Sequence, residues 1–226
     1  GIGGAFYSLI FKLHELMASK FYGIEGYAIY SVGCQHLHVL RFYLLSIVAV
    51  SLGQFATMIK EDDWQGANKL WNKIMASMYG ITIPVVIGFL IFSRPFIIFM
   101  FTESYADAID IFRINVLTWL HMLWNAPLLL RAMNRNDISF YNHLIHLIIA
   151  PFLLYGGMKL GGMVGLISAH GVLLVSDGLW SVILLNRVSG LRLAYAPSPR
   201  AVFQFYREMF EKGRGWLVQL RAGRSR

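Results

Sequence analysis

The sequence has little cysteine and little charge, and both shortages exclude classes of function. Cys34 is the only cysteine among 226 residues, so the chain forms no intramolecular disulfide and no thiolate metal cluster. Charged residues make up 14% of the chain, against about 25% in an ordinary soluble domain. The sequence also lacks a phosphate-binding glycine loop and a serine-nucleophile motif. It therefore predicts neither an enzyme nor a cofactor, and no metal site.

Long apolar runs take the place of a soluble pattern. Hydrophobic residues make up 57% of the chain, and the mean hydropathy is +0.55. A helix needs about 20 residues to cross about 30 Å of hydrocarbon, and the apolar runs have about this length. The sequence predicts an all-α, polytopic membrane bundle with about six transmembrane helices. The predicted spans are 2–19, 27–52, 74–99, 109–130, 138–156 and 163–186.

The net charge of +8 does not indicate nucleic-acid binding, because the basic residues flank apolar runs. Most of them lie on the side of the predicted bundle that carries both ends of the chain. The positive-inside rule then places both termini in the cytoplasm and the bundle in the inner membrane. That side holds Lys60, Lys69, Lys73, Arg131, Arg135 and the basic residues of 187–226, against Lys20, Arg94 and Lys159 opposite.

Residues 1–190 are predicted to form the bundle, and residues 191–226 a basic cytoplasmic tail. In the tail, Ser198 has the position of an N-cap and Gly213 that of a stop, which predicts an amphipathic helix on the membrane surface. A second amphipathic segment, 60–74, has Asp62 or Asp63 as a possible cap and is predicted to be either interfacial or the start of the third span. The chain opens inside an apolar run without Met, so we expect a fragment.

Polar residues recur at helical spacing inside five of the six predicted spans. In the first span, Lys12 and Glu15 fall on one face with two serines, while His14 points away. A charge in hydrocarbon costs roughly 2.5 to 3.5 kcal/mol even on insertion scales, so these faces are expected to line a shared hydrated interior. The corresponding residues of the second and fourth spans are Gln35, His38, Arg41, Arg113, His121 and Asn125.

The cations of this set, Lys12, Arg41 and Arg113, predict a cavity that attracts an anionic solute, although Lys12 and Glu15 could equally form a structural ion pair. The fifth and sixth spans contribute His143, His146, His170 and Asp177. His143 and His146 could chelate a metal from one helix, but no acidic third ligand lies nearby. Glu15, Asp177 and His170 are candidates for ion coupling, with H⁺ or Na⁺ as the ion.

Several stretches, in order, resemble the C-terminal half of the polysaccharide flippases in the multidrug/oligosaccharidyl-lipid/polysaccharide exporter superfamily. The stretches are FYGIEGYAIYSVG, IKEDDWQGANKLWNKIM, IPVVIGFLIFSRPFIIFMFTESYADAIDIFRI, LLRAMNRNDISFYNHLI and LGGMVGLISAHGVLL, within residues 20 to 190. The resemblance implies a transporter of two six-helix bundles, of which this chain is the second. It would flip a lipid-linked oligosaccharide by alternating access, among membrane lipids and together with polysaccharide assembly proteins.

Two other functions stay open at this point. A cation-coupled multidrug antiporter of the same superfamily needs acidic residues for cationic drugs, whereas cations outnumber acids in these spans. A membrane-embedded transferase acting on lipid-linked sugars would use Asp110 and His121, which no long extramembrane loop accompanies.

Overall fold

The computed structural model describes residues 2–36, 38–124, 126–190 and 192–223, with side chains except at positions 2, 3, 38, 39, 41, 213 and 215–223. Every regular element in these ranges is helical, as the sequence predicts. The α-helices are α1 (Ile2–Gly33), α2 (His38–Lys60), α3 (Trp64–Ile91), α4 (Ser93–Phe101), α5 (Ala108–Thr118), α6 (Pro127–Ala132), α7 (Asn136–Ser189) and α8 (Pro199–Gly223). Short 3₁₀ helices, Glu103–Tyr105 and Trp119–Leu123, flank α5.

α1 is a helical hairpin. Gly23 has a φ of 67°, a left-handed conformation that glycine adopts without a side-chain clash. The chain reverses there, since His14 Nδ1 and Tyr30 Oη lie 2.8 Å apart on opposite sides of the glycine. In a straight helix their separation along the chain would correspond to about 24 Å. The arms of α1 are therefore 2–22 and 24–33.

The second predicted span, 27–52, is wrong as one continuous helix. α1 ends at Gly33 and α2 begins at His38. The break is stabilised by Asn115, whose side-chain amide donates a 2.9 Å hydrogen bond to the carbonyl oxygen of Gln35. That carbonyl lies between the two helices, and α5 supplies the donor that a continuing helix would have supplied.

The fourth predicted span, 109–130, is also interrupted. Within it α5 passes into the 3₁₀ helix Trp119–Leu123, and Pro127 starts α6 at its first turn. The Thr118 hydroxyl donates to the carbonyl of Asn115, and His121 Nδ1 donates to the carbonyl of Thr118. Such side-chain bonds compete with the regular helical ladder, which accounts for the local change of geometry.

α3 contains the amphipathic segment and most of the third predicted span in one helix. Of the two predicted cap candidates, Asp62 and Asp63, it is Asp63 that caps the helix, accepting a 2.8 Å hydrogen bond from the Gly66 amide. The interfacial interpretation of this segment is wrong for Trp71, which is 1% exposed and donates to the carbonyl of Ala194. The apolar side of the segment packs on the chain that follows α7, and not on lipid headgroups.

α7 is a second hairpin, formed by arms 136–160 and 163–189. Gly161 and Gly162 have non-helical dihedral angles, and Asn142 Nδ2 lies 2.9 Å from Ser181 Oγ across the arms. The fifth and sixth predicted spans fall on these two arms. The reversals within α1 and α7 therefore lie at glycines, whereas Pro84 and Pro151 lie inside helices.

α8 packs along α3. Ser198 caps its start as predicted, accepting a hydrogen bond from the Ala201 amide. Phe205 covers Gly80 of α3, and the Tyr206 hydroxyl donates to the Gly80 carbonyl. The predicted stop at Gly213 is wrong, because α8 continues to Gly223.

Three helices in the described ranges are long and apolar enough to cross a membrane: Phe42–Lys60 within α2, α3 and α7. Their outward residues are large and apolar, with Phe152 77% exposed and Leu160 93% exposed. A soluble protein does not leave so much apolar surface on one body. These three helices fit a membrane protein.

Close packing of the α7 arms depends on glycine, and this dependence can be tested. A Cβ at Gly165 would collide with the carbonyl oxygen of Gly157, whereas a Cβ at Gly156 would meet nothing within 4 Å. We expect Gly165→Ala to lower the free energy of unfolding by about 1 to 3 kcal/mol. Gly156→Ala is the matched control and is expected to leave it unchanged or raise it. Thermal unfolding in detergent measures both, and equal midpoints would contradict the proposed contact.

Candidate functional site

A cavity of about 970 Å³ lies inside the bundle, between the first arm of α1, α2, the 3₁₀ helix Trp119–Leu123, α6 and α7. The part of its wall that α2 contributes is apolar and consists of Leu40, Leu44, Leu45 and Val48. The remainder carries polar groups from every other element. The polar lining includes Tyr7, Lys12, His121, Arg131, His143 and Asp177.

Asp177 is the centre of a polar cluster between the arms of α7. Asp177 is 7% exposed. Oδ1 accepts a 2.7 Å hydrogen bond from Asn142 Nδ2 and lies 3.5 Å from His146 Nδ1, while Oδ2 lies 3.7 Å from His143 Nε2. Asn142 Nδ2 also donates to Ser181. The cluster thus holds a carboxylate in an apolar bundle by surrounding it with nitrogen groups.

A second cluster of rings joins α1 to this hairpin. Tyr7 lies 5.3 Å from the ring of His143, and its hydroxyl is 3.1 Å from His121 Nε2. Because His121 Nδ1 donates to a backbone carbonyl, its Nε2 accepts from Tyr7. The Phe11 ring lies edge-on to His170 at 5.3 Å. Rings therefore extend without interruption from the Asp177 cluster along the first arm of α1.

His14 and His170 lie at the end of this ring cluster. Their centroids are 3.9 Å apart, and each residue is 1% exposed. His14 Nδ1 bonds to Tyr30, while His14 Nε2 and His170 Nδ1 have no hydrogen-bond partner among the described residues. His170 is therefore buried in the packing of α1 on α7, and it lies apart from the carboxylate of Asp177.

Lys12 and Glu15 form an ion pair on the first arm of α1. Lys12 Nζ lies 2.8 Å from Glu15 Oε2, and the Lys12 side chain is 63% exposed. Lys12 lines the cavity, as predicted, but its charge is already balanced by its helical neighbour. His14 points to the opposite, buried side of the arm, again as predicted.

Arg113 and Gln35 do not line the cavity. Arg113 donates to Asp110 and to Ser93 in the outer part of the bundle, and Gln35 is exposed, with its amide on the carbonyl of Ser31. Both residues were predicted to line the cavity on the assumption of continuous helices. The 3₁₀ helix after Arg113 and the break after Gln35 each change the direction in which the following side chains point, so the predicted polar faces of the second and fourth spans are not continuous.

Three further predicted residues cannot be placed. Asn125 lies outside the described residues, and the side chains of His38 and Arg41 lie outside the described part as well. Their predicted role in substrate binding stays a prediction.

The cavity includes Arg131, which the predicted polar faces did not contain, and His143, which was predicted on a polar face of the fifth span without a role in binding. The guanidinium of Arg131 makes no hydrogen bond or ion pair with any residue that the structure describes. The loop charge pattern contained Arg131, but the pattern gave no reason to place it on a cavity wall. His143 and His146 shared a face in the sequence, and their contact with Asp177 follows from the hairpin.

This arrangement can bind an amphipathic molecule with an anionic group. A guanidinium without an internal partner can bind a phosphate in bidentate fashion, and the α2 wall offers apolar contact. A proton can be held between Asp177 and its histidines. In the described part of the chain no group of three or more side chains is arranged to hold a metal ion.

No protein-family model, no curated protein and no solved structure matches the chain.

The Asn142 amide is expected to hold the Asp177 carboxylate in place. Asn142→Leu removes a hydrogen bond to this buried group, and such bonds contribute about 1.5 to 3 kcal/mol. We expect a loss of this size in the free energy of unfolding. Ser139→Ala is the control, because the buried Ser139 hydroxyl of the same arm has no described partner. Denaturant unfolding in detergent measures both, and an equal effect of the two would contradict the role of Asn142.

Proposed function

We propose that the chain is one half of a flippase that moves a polyprenyl pyrophosphate-linked oligosaccharide across the cytoplasmic membrane. The observation that carries the proposal is the cavity, with its apolar wall and its unpaired arginine, inside a bundle whose outer surface suits lipid. A bundle with a purely structural role does not require a cavity of about 970 Å³ whose wall carries charged groups.

The anionic headgroup would bind at Arg131. The guanidinium of Arg131 carries five N–H donors in a fixed fork that matches the oxygens of a phosphate. No described residue accepts a hydrogen bond from them. Lys12 would add positive potential, reduced by its pairing with Glu15. This assigns to Arg131 the role that the sequence predicted for Arg41 and Arg113, with Arg41 still a candidate.

The lipid tail would leave the cavity along α2. Leu40, Leu44, Leu45 and Val48 form its wall there, and Leu45 is 50% exposed. An apolar wall with exposed side chains suits a substrate whose headgroup is polar and whose tail stays in hydrocarbon.

The proposed topology has six passes. The arms of α1 and α7 reverse at glycines, and the broken helices α1–α2 and α5–α6 count as composite passes. The loop charges place both termini of this chain in the cytoplasm. The polar side of α1, where Ser8, Lys12 and Ser19 are exposed, would face the other half of the transporter.

Ion coupling is assigned to the Asp177 cluster. Asp177 is buried, lines the cavity and contacts two histidines. Glu15 balances Lys12, and His170 packs on His14, so both are weaker candidates.

A multidrug antiporter is the second candidate, and the acidic wall residues Asp137 and Asp177 favour it. Asp137 is, however, paired with Arg135, and Asp177 with nitrogen groups, whereas the Arg131 guanidinium has no partner among the described residues. The transferase is disfavoured because its two candidate residues lie apart. Asp110 is exposed beside Arg113, whereas His121 is buried in the cavity wall about three helical turns further along the chain.

Arg131→Gln is expected to lower translocation of a fluorescent pyrophosphate-linked lipid sugar in proteoliposomes. The loss of charge-assisted bonds to phosphate, worth about 1.5 to 3 kcal/mol, corresponds to a reduction of about ten-fold to a hundred-fold. Arg113→Gln is the matched control and is expected to change the rate by less than about two-fold, because Arg113 lies outside the cavity.

The assay uses the longest reading frame that contains this chain, with insertion and folding checked for each variant. Equal rates in both variants would contradict the role of Arg131. Absence of translocation by the folded wild-type protein, together with efflux of a lipophilic cation, would replace the flippase by the drug antiporter.

A further inference from the structure

We propose that His146 and Asp177 form a proton-binding site, in which one proton converts the neutral imidazole of His146 to an imidazolium paired with the Asp177 carboxylate. The link to transport rests on the proposed function, whereas the proton site itself does not. The proposal identifies the residue that carries the proton and the ion that the cluster selects.

Hydrogen bonding on both sides of His146 carries the proposal. Nδ1 lies 2.9 Å from the backbone carbonyl oxygen of Asn142, which can only accept, so Nδ1 bears a hydrogen. Nε2 lies 3.3 Å from Ser176 Oγ. The Ser176 hydroxyl donates its single hydrogen to the Leu173 carbonyl at 2.8 Å. Its oxygen therefore faces Nε2 as an acceptor, and the arrangement suits a ring that is protonated at both nitrogens.

The charge of that ring is balanced by Asp177. His146 Nδ1 lies 3.5 Å from Asp177 Oδ1, and the two side chains are 9% and 10% exposed. An uncompensated carboxylate between apolar helices costs several kcal/mol, whereas an imidazolium–carboxylate pair is neutral as a unit. Uptake of one proton thus removes a buried net charge from the hairpin.

The same contacts disfavour a sodium ion. Hard cations take several oxygen ligands. Asp177 Oδ1 instead accepts from the Asn142 amide nitrogen and faces the protonated Nδ1 of His146. Asn142 presents its nitrogen, and not its oxygen, to the carboxylate, so the oxygen ligands that sodium requires are not gathered here.

The charged and titratable groups around the pair come from every neighbouring element. His143 of the same arm approaches Asp177 Oδ2, and Tyr7 of α1 links His143 to His121. Further along the cavity wall the structure places Lys12, His36, Arg131 and Asp137. His146 itself does not line the cavity, so a proton from cavity water reaches it through Asp177.

Protonation and anion binding are expected to favour each other. Without its proton, the cluster leaves a net negative charge at the wall that also carries Arg131, and this charge repels an anionic headgroup. The protonated cluster is neutral and does not repel the headgroup. By linkage, the headgroup would then raise the proton occupancy of the pair as the proton raises headgroup affinity.

The test is ¹⁵N NMR of the full chain in nanodiscs with isotope-labelled histidine, with the His146 signals assigned by their loss in His146→Gln. At about pH 6 we expect both ring nitrogens of His146 to be protonated in the wild-type protein. Asp177→Asn, which keeps the shape but removes the charge, is expected to leave one of them unprotonated.

Ser176→Ala provides a second variant that keeps the Asp177 carboxylate, and it is expected to weaken protonation at Nε2. Its matched control is Ser168→Ala on the same arm, whose exposed hydroxyl bonds to its own helix and is expected to change nothing. A His146 ring with one proton in the wild-type protein would overturn the proposal. So would loss of the second proton on adding about 0.1 M NaCl at constant pH, since a sodium ion would then occupy the site.

The measurement needs no transport substrate. A doubly protonated His146 in a protein that moves no lipid-linked sugar would leave the proton site standing and remove the flippase.

Discussion

The two apolar arms of α7 pack together with a buried carboxylate between them, because Asp177 has its partners inside the same hairpin. Asn142 donates to it, and His143 and His146 approach it from the opposite arm. Backbone contact near the turn holds the arms at the distance that these bonds require, and glycine permits that contact. A carboxylate exposed to hydrocarbon would separate the arms, so one polar contact determines the geometry of the longest element of the fold.

α1 completes this arrangement from the other side. Its first arm packs on α7 through rings, with Tyr7 beside His143 and His14 on His170. Rings of this kind combine a large apolar area with a polar edge, and they can cover a polar cluster without water. Tyr7, Phe11 and His143 also line the cavity, together with Asp177. The wall of α2 then adds the apolar side, which gives one space two chemically different surfaces.

Helical class and the polar faces of single arms could be predicted from the sequence, because both follow from residue spacing within one helix. The opposite directions of Lys12 and His14 are an example. The helix breaks could not be predicted in this way. The break after Gln35 depends on a donor from α5, which is distant in sequence. Each break moved predicted site residues such as Arg113 away from the cavity, while Arg131 became part of it through tertiary packing.

The order of synthesis gives the Lys12–Glu15 pair a further meaning. α1 is made before α7, so His14 is synthesised long before its stacking partner His170 exists. In that interval α1 must tolerate its own polar groups. Lys12 and Glu15 are one helical turn apart and neutralise each other without help from any other helix. The pair thereby limits the cost of two charged side chains on α1 before the hairpin that packs on it has been translated.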